Sequence, residues 1–233
     1  DGFDLATQVQ HLASRHCAFL PSVRPLADDV PPAKISIDTT KINFLFIGRW
    51  EKAKGVDVLI EAMKLLSDAE VAAHLYIVGK GSLKSLLERK IRTYALTESV
   101  FLRENLPTAT LRGYLQQCDC VVIPSRSDSI PLVFSEALQA RRPLIVSEVG
   151  DLATLVQRFA LGLVVPPENP EELKQALEVF VHNRHRSTQY LGRIDEAQAL
   201  FNLDKAAAAF LRQATEIVKG VSLSFAADEE HVS

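Results

Sequence analysis

Two cations and two carboxylates in this sequence stand where they could share one ligand. Arg49 and Lys54 bracket the polar loop "GRWEKAKG", which ends in Gly55 just before a helical segment. Fixed cations beside a helix N-terminus suit a diphosphate, because each charge-assisted hydrogen bond contributes roughly 1.5–3 kcal/mol. Further on, "PSRSDSIPLVFSEALQ" carries Asp128 in a polar loop and Glu136 eight places later in a helical segment. Pro131 fixes φ and lacks an N–H, so it suits a first helical position. The amides of Leu132 and Val133 are then left free to point at an anion. Eight continuous helical residues would separate the side chains at their ends by about 12 Å and about 80°. Asp128 and Glu136 can therefore meet one ligand only if Asp128 lies in the loop before the helix. Taken singly, each of these groups is more commonly a solvated loop or helix residue.

The remaining chemistry-bearing residues form weaker patterns. Gly79 and Gly81 in "VGKGSLKSLL" make half of a dinucleotide fingerprint, with Glu104 near the expected position of a ribose-binding acid. Lys84 replaces the third glycine, which favours a plain strand-to-helix turn over a nicotinamide site. Cys118 and Cys120 straddle Asp119 at the start of an apolar run. They read as small buried residues entering a strand rather than as a metal or redox pair. His182 and His185 share a helix face without a third ligand. Gly150 marks one more turn before a helix. No nucleophile elbow, phosphate-binding loop or Asp-x-Asp run is present.

The elements that must position these groups follow from periodicity. Six short runs rich in β-branched and aromatic residues read as strands: 42–48, 74–79, 100–102, 120–124, 143–148 and 161–166. They alternate with longer segments of helical period, the pattern of a parallel sheet covered on both faces. Val58, Leu59, Ala62, Leu65 and Leu66 give the first helix an apolar stripe. Ser82 and Asn169 are placed as N-caps, with Pro170 at a first helical position. Residues 41–184 form one doubly wound, Rossmann-like domain. In such domains ligands sit beyond the carboxyl ends of the strands. Residues 1–40 read as a helix over 3–17 followed by a linker containing four prolines, and residues 185–233 as two helices and a frayed tail.

Composition narrows the function classes. The chain has 233 residues, 47% of them hydrophobic and 24% charged, with a net charge of −3. That balance gives no footprint for nucleic acid, which demands clustered positive charge. Three cysteines are too few for a disulfide framework and favour a reducing compartment. No apolar run is long enough to span a bilayer.

Taken together, the loops resemble the carboxy-terminal domain of the retaining nucleotide-sugar glycosyltransferases called group 1, or family 4, which have the two-domain GT-B fold. "FIGRWEKAKGVDVLIEAMKLL" resembles the family's G-R-x4-K-G segment, and "YIVGKGSLKSLL" its strand and G-x-G turn. "CDCVVIPSRSDSIPLVFSEALQARRPLIVSEVGD" resembles its E-x7-E block, and "GLVVPPENPEELKQAL" its closing segment. The resemblance implies a donor site of Arg49, Lys54, Asp128, Ile130, Pro131, Leu132, Val133 and Glu136, with Arg49, Lys54 and Asp128 catalytic. Arg49 and Lys54 would hold the donor diphosphate, Glu136 the ribose hydroxyls, Asp128 the transferred sugar, and the amides of Leu132 and Val133 the distal phosphate. The reaction would be metal-independent, cofactor-free hexosyl transfer from a UDP- or GDP-sugar to a glycan, lipid or small-molecule acceptor, with retention.

The sequence also departs from the family. Asp128 is one methylene shorter than the usual glutamate, and Ser129, Ile130 and Pro131 replace a glycine-rich turn. Thr154 stands where a glutamate often follows a glycine pair, of which only Gly150 remains. The chain would then be the donor-binding half of a longer enzyme, inactive without its N-terminal domain. Its expected location is cytoplasmic, with any membrane contact peripheral and made through that domain. A non-catalytic nucleotide-binding or interaction module of the same fold is the alternative.

Overall fold

The computed structural model describes residues 30–183 and 186–200, together with positions 208, 211, 212 and 215. The expected helix over 3–17, Cys17, His185 and most of the second C-terminal helix lie outside the described residues. All six expected strands form: β1 (Ile42–Ile47), β2 (Ala73–Val78), β3 (Val100–Arg103), β4 (Cys120–Ile123), β5 (Leu144–Ser147) and β6 (Gly162–Val165). They make one fully parallel sheet in the order β3-β2-β1-β4-β5-β6. Every residue of β2, β4 and β5 is buried, whereas the edge strands β3 and β6 are mostly half-buried. Burial on both faces explains why the central strands read as unbroken apolar runs rather than alternating ones.

Seven helices cover the sheet among the described residues. They are α1 (Val56–Asp68), α2 (Lys84–Thr93), α3 (Thr108–Gln117), α4 (Leu132–Gln139), α5 (Gly150–Phe159), α6 (Pro170–His182) and α7 (Arg186–Leu200). Successive strand residues point to opposite faces and divide the core in two. Phe44, Phe46, Leu75 and Ile77 pack under α1, α2 and α6. Leu45, Tyr76, Val121 and Ile123 pack under α3, α4, α5 and α7. The described end of the proline-rich segment lies along α3: the Ala33 N–H donates to Ala109 O at 2.8 Å, and Ile35 and Ile37 pack onto the second core.

Helix starts follow the expected capping at some positions and not at others. The Asn169 side chain accepts from the Glu172 N–H at 3.1 Å with Pro170 in the first turn. Ser82, by contrast, is not a cap. Helix α2 begins two residues later, with Leu83 at the N-cap position, and its entry is held by a bond from the Leu83 N–H to Trp50 O at 3.0 Å. Pro131 also stands one residue outside its expected place. Its ψ of 152° makes it the N-cap of α4, and Leu132 is the first helical residue.

The feature that shapes the site is where β1 and β4 separate. The two strands pair only at Phe44–Cys120 and Leu45–Val121. Beyond that point β1 continues along β2 to Ile47–Val78, and β4 along β5 to Ile123–Val146. The order of strands reverses here, and a crevice opens between the two carboxyl ends. The loops above it still touch through Gly55, whose φ is +66°; a Cβ at this position would lie 1.8 Å from Pro124 O.

Gly55→Ala is accordingly expected to lower the free energy of unfolding by about 2 kcal/mol or more, since a left-handed backbone alone costs a side-chain-bearing residue about 1–2 kcal/mol. Urea unfolding followed by the fluorescence of Trp50, the sole tryptophan, measures this. An unchanged midpoint would show that the two loops are not in contact.

Candidate functional site

The loop after β1 turns through a short 3-10 helix, Lys52–Lys54, which Gly55 ends with a bond from its N–H to Lys52 O at 3.1 Å. This places Lys54 above the crevice. Its Nζ donates to Asp128 Oδ2 at 2.5 Å, and both side chains are largely shielded from solvent. The same carboxylate oxygen accepts from the buried Ser125 hydroxyl at 3.0 Å. Asp128 is therefore a loop residue facing the crevice, as sharing a ligand with Glu136 requires.

The loop carrying Asp128 is wedged from behind. Gly150 has φ +54°, and a Cβ there would lie 2.3 Å from Asp128 O. The Leu152 N–H donates to Ser129 O at 3.1 Å, and Ser129 Oγ to the buried Asp151 Oδ2 at 3.3 Å. Gly150 is thus more than a turn glycine: it lets the start of α5 back the loop that presents Asp128.

Helix α4 supplies the other wall. The Phe134 N–H donates to Pro131 O at 3.0 Å, so Leu132 and Val133 occupy the first two helical positions, whose amides lack intrahelical acceptors. Val133, Phe134, Ala137 and Leu138 are buried against the sheet. Leu132 and Glu136, four residues apart on one face, look into the crevice. The resulting cleft has a volume of about 350 Å³ and brings together Lys54, Asp128, Pro131, Leu132, Val133 and Glu136 over a floor of Ile47 and Ile123. Gly48 and Ser125 complete the lining. Arg49 is exposed on the β1 loop and Ile130 packs toward the second core; neither lines the cleft.

Ile47, Gly48, Ile123 and Ser125 were not anticipated from the sequence. Their signal is positional, since they end the two strands that flank the switch point, and the strand order had to be known first. Arg126 also went unread. It forks onto Asp57 in the first turn of α1, with bonds of 2.7 and 3.0 Å, and pairs with Glu168 at 2.5 Å. Burial opposes ionisation of Asp57, but the hydrogen bonds and charge of Arg126 outweigh it and hold the Asp57 pKa below its ordinary value.

The competing patterns have structural explanations. A Cβ at Gly79 would lie 1.9 Å from Gly48 O, and one at Gly81 would lie 2.5 Å from Trp50 O. Both glycines let the β2 loop press on the β1 loop, and Lys84 pairs with Glu104 at 2.7 Å. Cys118 and Cys120 are buried thiols. Burial pushes Cys118 up to about 12 and Cys120 well above its ordinary value, so neither is a ready thiolate. Among the described residues no cluster of three His, Cys, Asp or Glu could hold a metal, and no helix is long and apolar enough to cross a membrane.

Comparison with known proteins converges on one family. Residues 29–198 match the family model described as glycosyl transferases group 1. The putative teichuronic acid biosynthesis glycosyltransferase TuaC of Bacillus subtilis is 30% identical over 176 residues, covering 75% of this chain and 42% of TuaC. The chain spans well under half the length of the curated relatives it matches. Among solved structures, Anabaena HepE in complex with UDP superimposes with a TM-score of 0.68 at 15% identity, over 93% of this chain and 53% of HepE. The C-terminal domain of the group 1 family protein LpcC from Francisella tularensis superimposes with a TM-score of 0.63 at 16% identity, over 79% of this chain and 96% of that domain. At these identities the superpositions establish the fold, which is that of one half of a GT-B glycosyltransferase.

The Arg126–Asp57 pair has a measurable pH signature. Because folding depresses the Asp57 pKa, its stabilisation is complete above the unfolded value of about 4 and is lost as pH falls through the folded value. Asp57→Asn is expected to cost about 1–3 kcal/mol at pH 7, and the gap to the parent should shrink toward pH 3 in urea titrations. An equal gap at both pH values would show that the ionised carboxylate contributes nothing.

Proposed function

We propose, from the premise that this chain belongs to the glycosyl transferases of group 1, that it binds the nucleoside-diphosphate sugar donor in the cleft between β1 and β4. The observation that carries this reading is the convergence of Lys54, Asp128 and Glu136, which come from three separate segments, on one cleft at the switch point.

Lys54 meets the diphosphate, and the amides of Leu132 and Val133 at the positive end of α4 meet the distal phosphate. Arg49 approaches the same diphosphate from the exposed rim of the β1 loop. Glu136 accepts from the ribose hydroxyls. Asp128, with Ile130 and Pro131 behind it, stands next to the transferred sugar, and through its bond to Lys54 it also fixes where that cation points.

The chemical role of the cleft is to stabilise the negative charge that develops on the leaving diphosphate as the bond to the anomeric carbon breaks. A preorganised cation and helix amides do this without reorganising in the transition state. In this reading a hexose is transferred with retention from a UDP- or GDP-sugar, and the chain's own cations balance the diphosphate. The UDP held by HepE supports a nucleoside diphosphate as the ligand class.

A second domain, supplying the acceptor site and the opposite wall of the reaction cleft, completes the enzyme. The partial coverage of the longer relatives and the near-complete match to a C-terminal domain support this division. The chain alone then binds donor and transfers nothing. One observation favours a second reading, a nucleotide-binding module without catalysis: the short Asp128 carboxylate is already engaged by Lys54 and Ser125.

Calorimetric titration of the chain with UDP, GDP and ADP tests the binding claim. At least one is expected to bind and to raise the melting temperature by mass action. Lys54→Ala and Glu136→Ala should each weaken that binding about tenfold or more. Silence from all three at millimolar concentration, or unchanged affinity in both variants, would refute the assignment. If binding holds, joining the chain to the rest of its enzyme and assaying turnover separates the catalytic from the non-catalytic reading.

A further inference from the structure

We infer that Arg126 is a positioning residue for the donor site, acting through Lys54 without touching the ligand. The inference rests on the proposed role of Lys54 in binding the diphosphate. Arg126 lies outside the cleft lining, yet it engages the turn that carries Lys54 at two successive carbonyls. Its backbone N–H donates to Ala53 O at 2.8 Å, and its Nη1 donates to Lys52 O. Lys52 O also accepts the N–H of Gly55 that closes the turn, so both its lone pairs are used.

The rest of the guanidinium binds the surroundings of that turn. The fork onto Asp57 ties it to the first turn of α1, immediately after Gly55. The bond from Nε to Glu168 reaches the loop after β6, where Glu168 holds a left-handed backbone with φ +57°. One side chain thus joins the segments after β1, β4 and β6. Arg126 also shares its loop with Asp128, which accepts from the Lys54 ammonium, and with Ser125, whose hydroxyl donates to that same carboxylate. The turn and the head group of Lys54 are therefore referenced to the same few residues.

The geometry demands arginine. Five N–H donors in one plane satisfy two acceptor oxygens of Asp57, one backbone carbonyl and Glu168 together, which a lysine cannot do. Loss of the fork releases the 3-10 turn, and with it the placement of Lys54 over the crevice. Displacements of about 1 Å at such groups are enough to cost up to about a hundredfold in function.

The test is a double-mutant cycle on the affinity of the chain for UDP and GDP, measured by calorimetry. Arg126→Ala is expected to weaken binding about tenfold in the parent and less than about twofold when Lys54 is already alanine. Arg126→Lys, which keeps the charge and is the milder change for folding, should show a smaller loss with the same dependence on Lys54. A merely structural role would reduce affinity equally in both backgrounds, and that result would overturn the inference. So would undiminished affinity in both Arg126 variants while Lys54→Ala remains defective, an outcome that leaves the donor-site reading standing. If Lys54→Ala itself binds normally, the donor-site reading fails and the positioning role fails with it.

Discussion

The site depends on one constraint: β1 and β4 pair for only two residues before each continues along a different neighbour. A parallel sheet whose strand order reverses must leave a gap at that point, because the segments that follow the two strands pack on opposite faces. Here α1 leaves β1 on the face of the first core and α4 leaves β4 on the face of the second. The gap is floored by Ile47 and Ile123. An apolar floor below and charged loops above make a place where a polar ligand would meet side chains already drawn out of bulk water, and there each electrostatic contact is worth more than at an open surface.

Charge in the cleft is balanced locally. Lys54 is held by Asp128, whose carboxylate also accepts from Ser125, while outside the cleft Arg126 is held by Asp57 and Glu168. Neither cation is left to wander, and the entropy of ordering two long side chains is lost during folding rather than at binding. The glycines serve the same end. Gly55 and Gly150 adopt left-handed conformations where two loops meet backbone to backbone, and the loop bearing Asp128 is fixed between them.

Much of this was legible in the sequence. The six strands were readable because double-sided burial makes a parallel strand apolar along its whole length, and the loops that follow them carried unusual concentrations of charge, glycine and proline. Lys54, Asp128 and Glu136 could be grouped because the loop-then-helix reading of one stretch allowed the two acids to approach one point. Ser82 misled because a serine before a helical segment signals a cap, whereas the observed start of α2 is held by a carbonyl from Trp50, a contact across sequence that no local pattern shows. Arg126 was unreadable for the same reason: its partner Asp57 lies 69 residues away, and an isolated arginine in a polar loop looks solvated until that distance is closed. Arg49 shows the converse, a well-placed residue type whose side chain the fold leaves exposed.

In the proposed function the crevice is a diphosphate site framed by one lysine, one helix N-terminus and one acid a turn further in. The structure of the chain with UDP bound tests that claim most directly. The diphosphate is expected between the β1 loop and α4, within hydrogen-bond reach of Lys54 Nζ and the Leu132 and Val133 amides, with the ribose against Glu136. A nucleotide seated anywhere else on the sheet, or one in the crevice with its diphosphate turned away from Lys54, would contradict it.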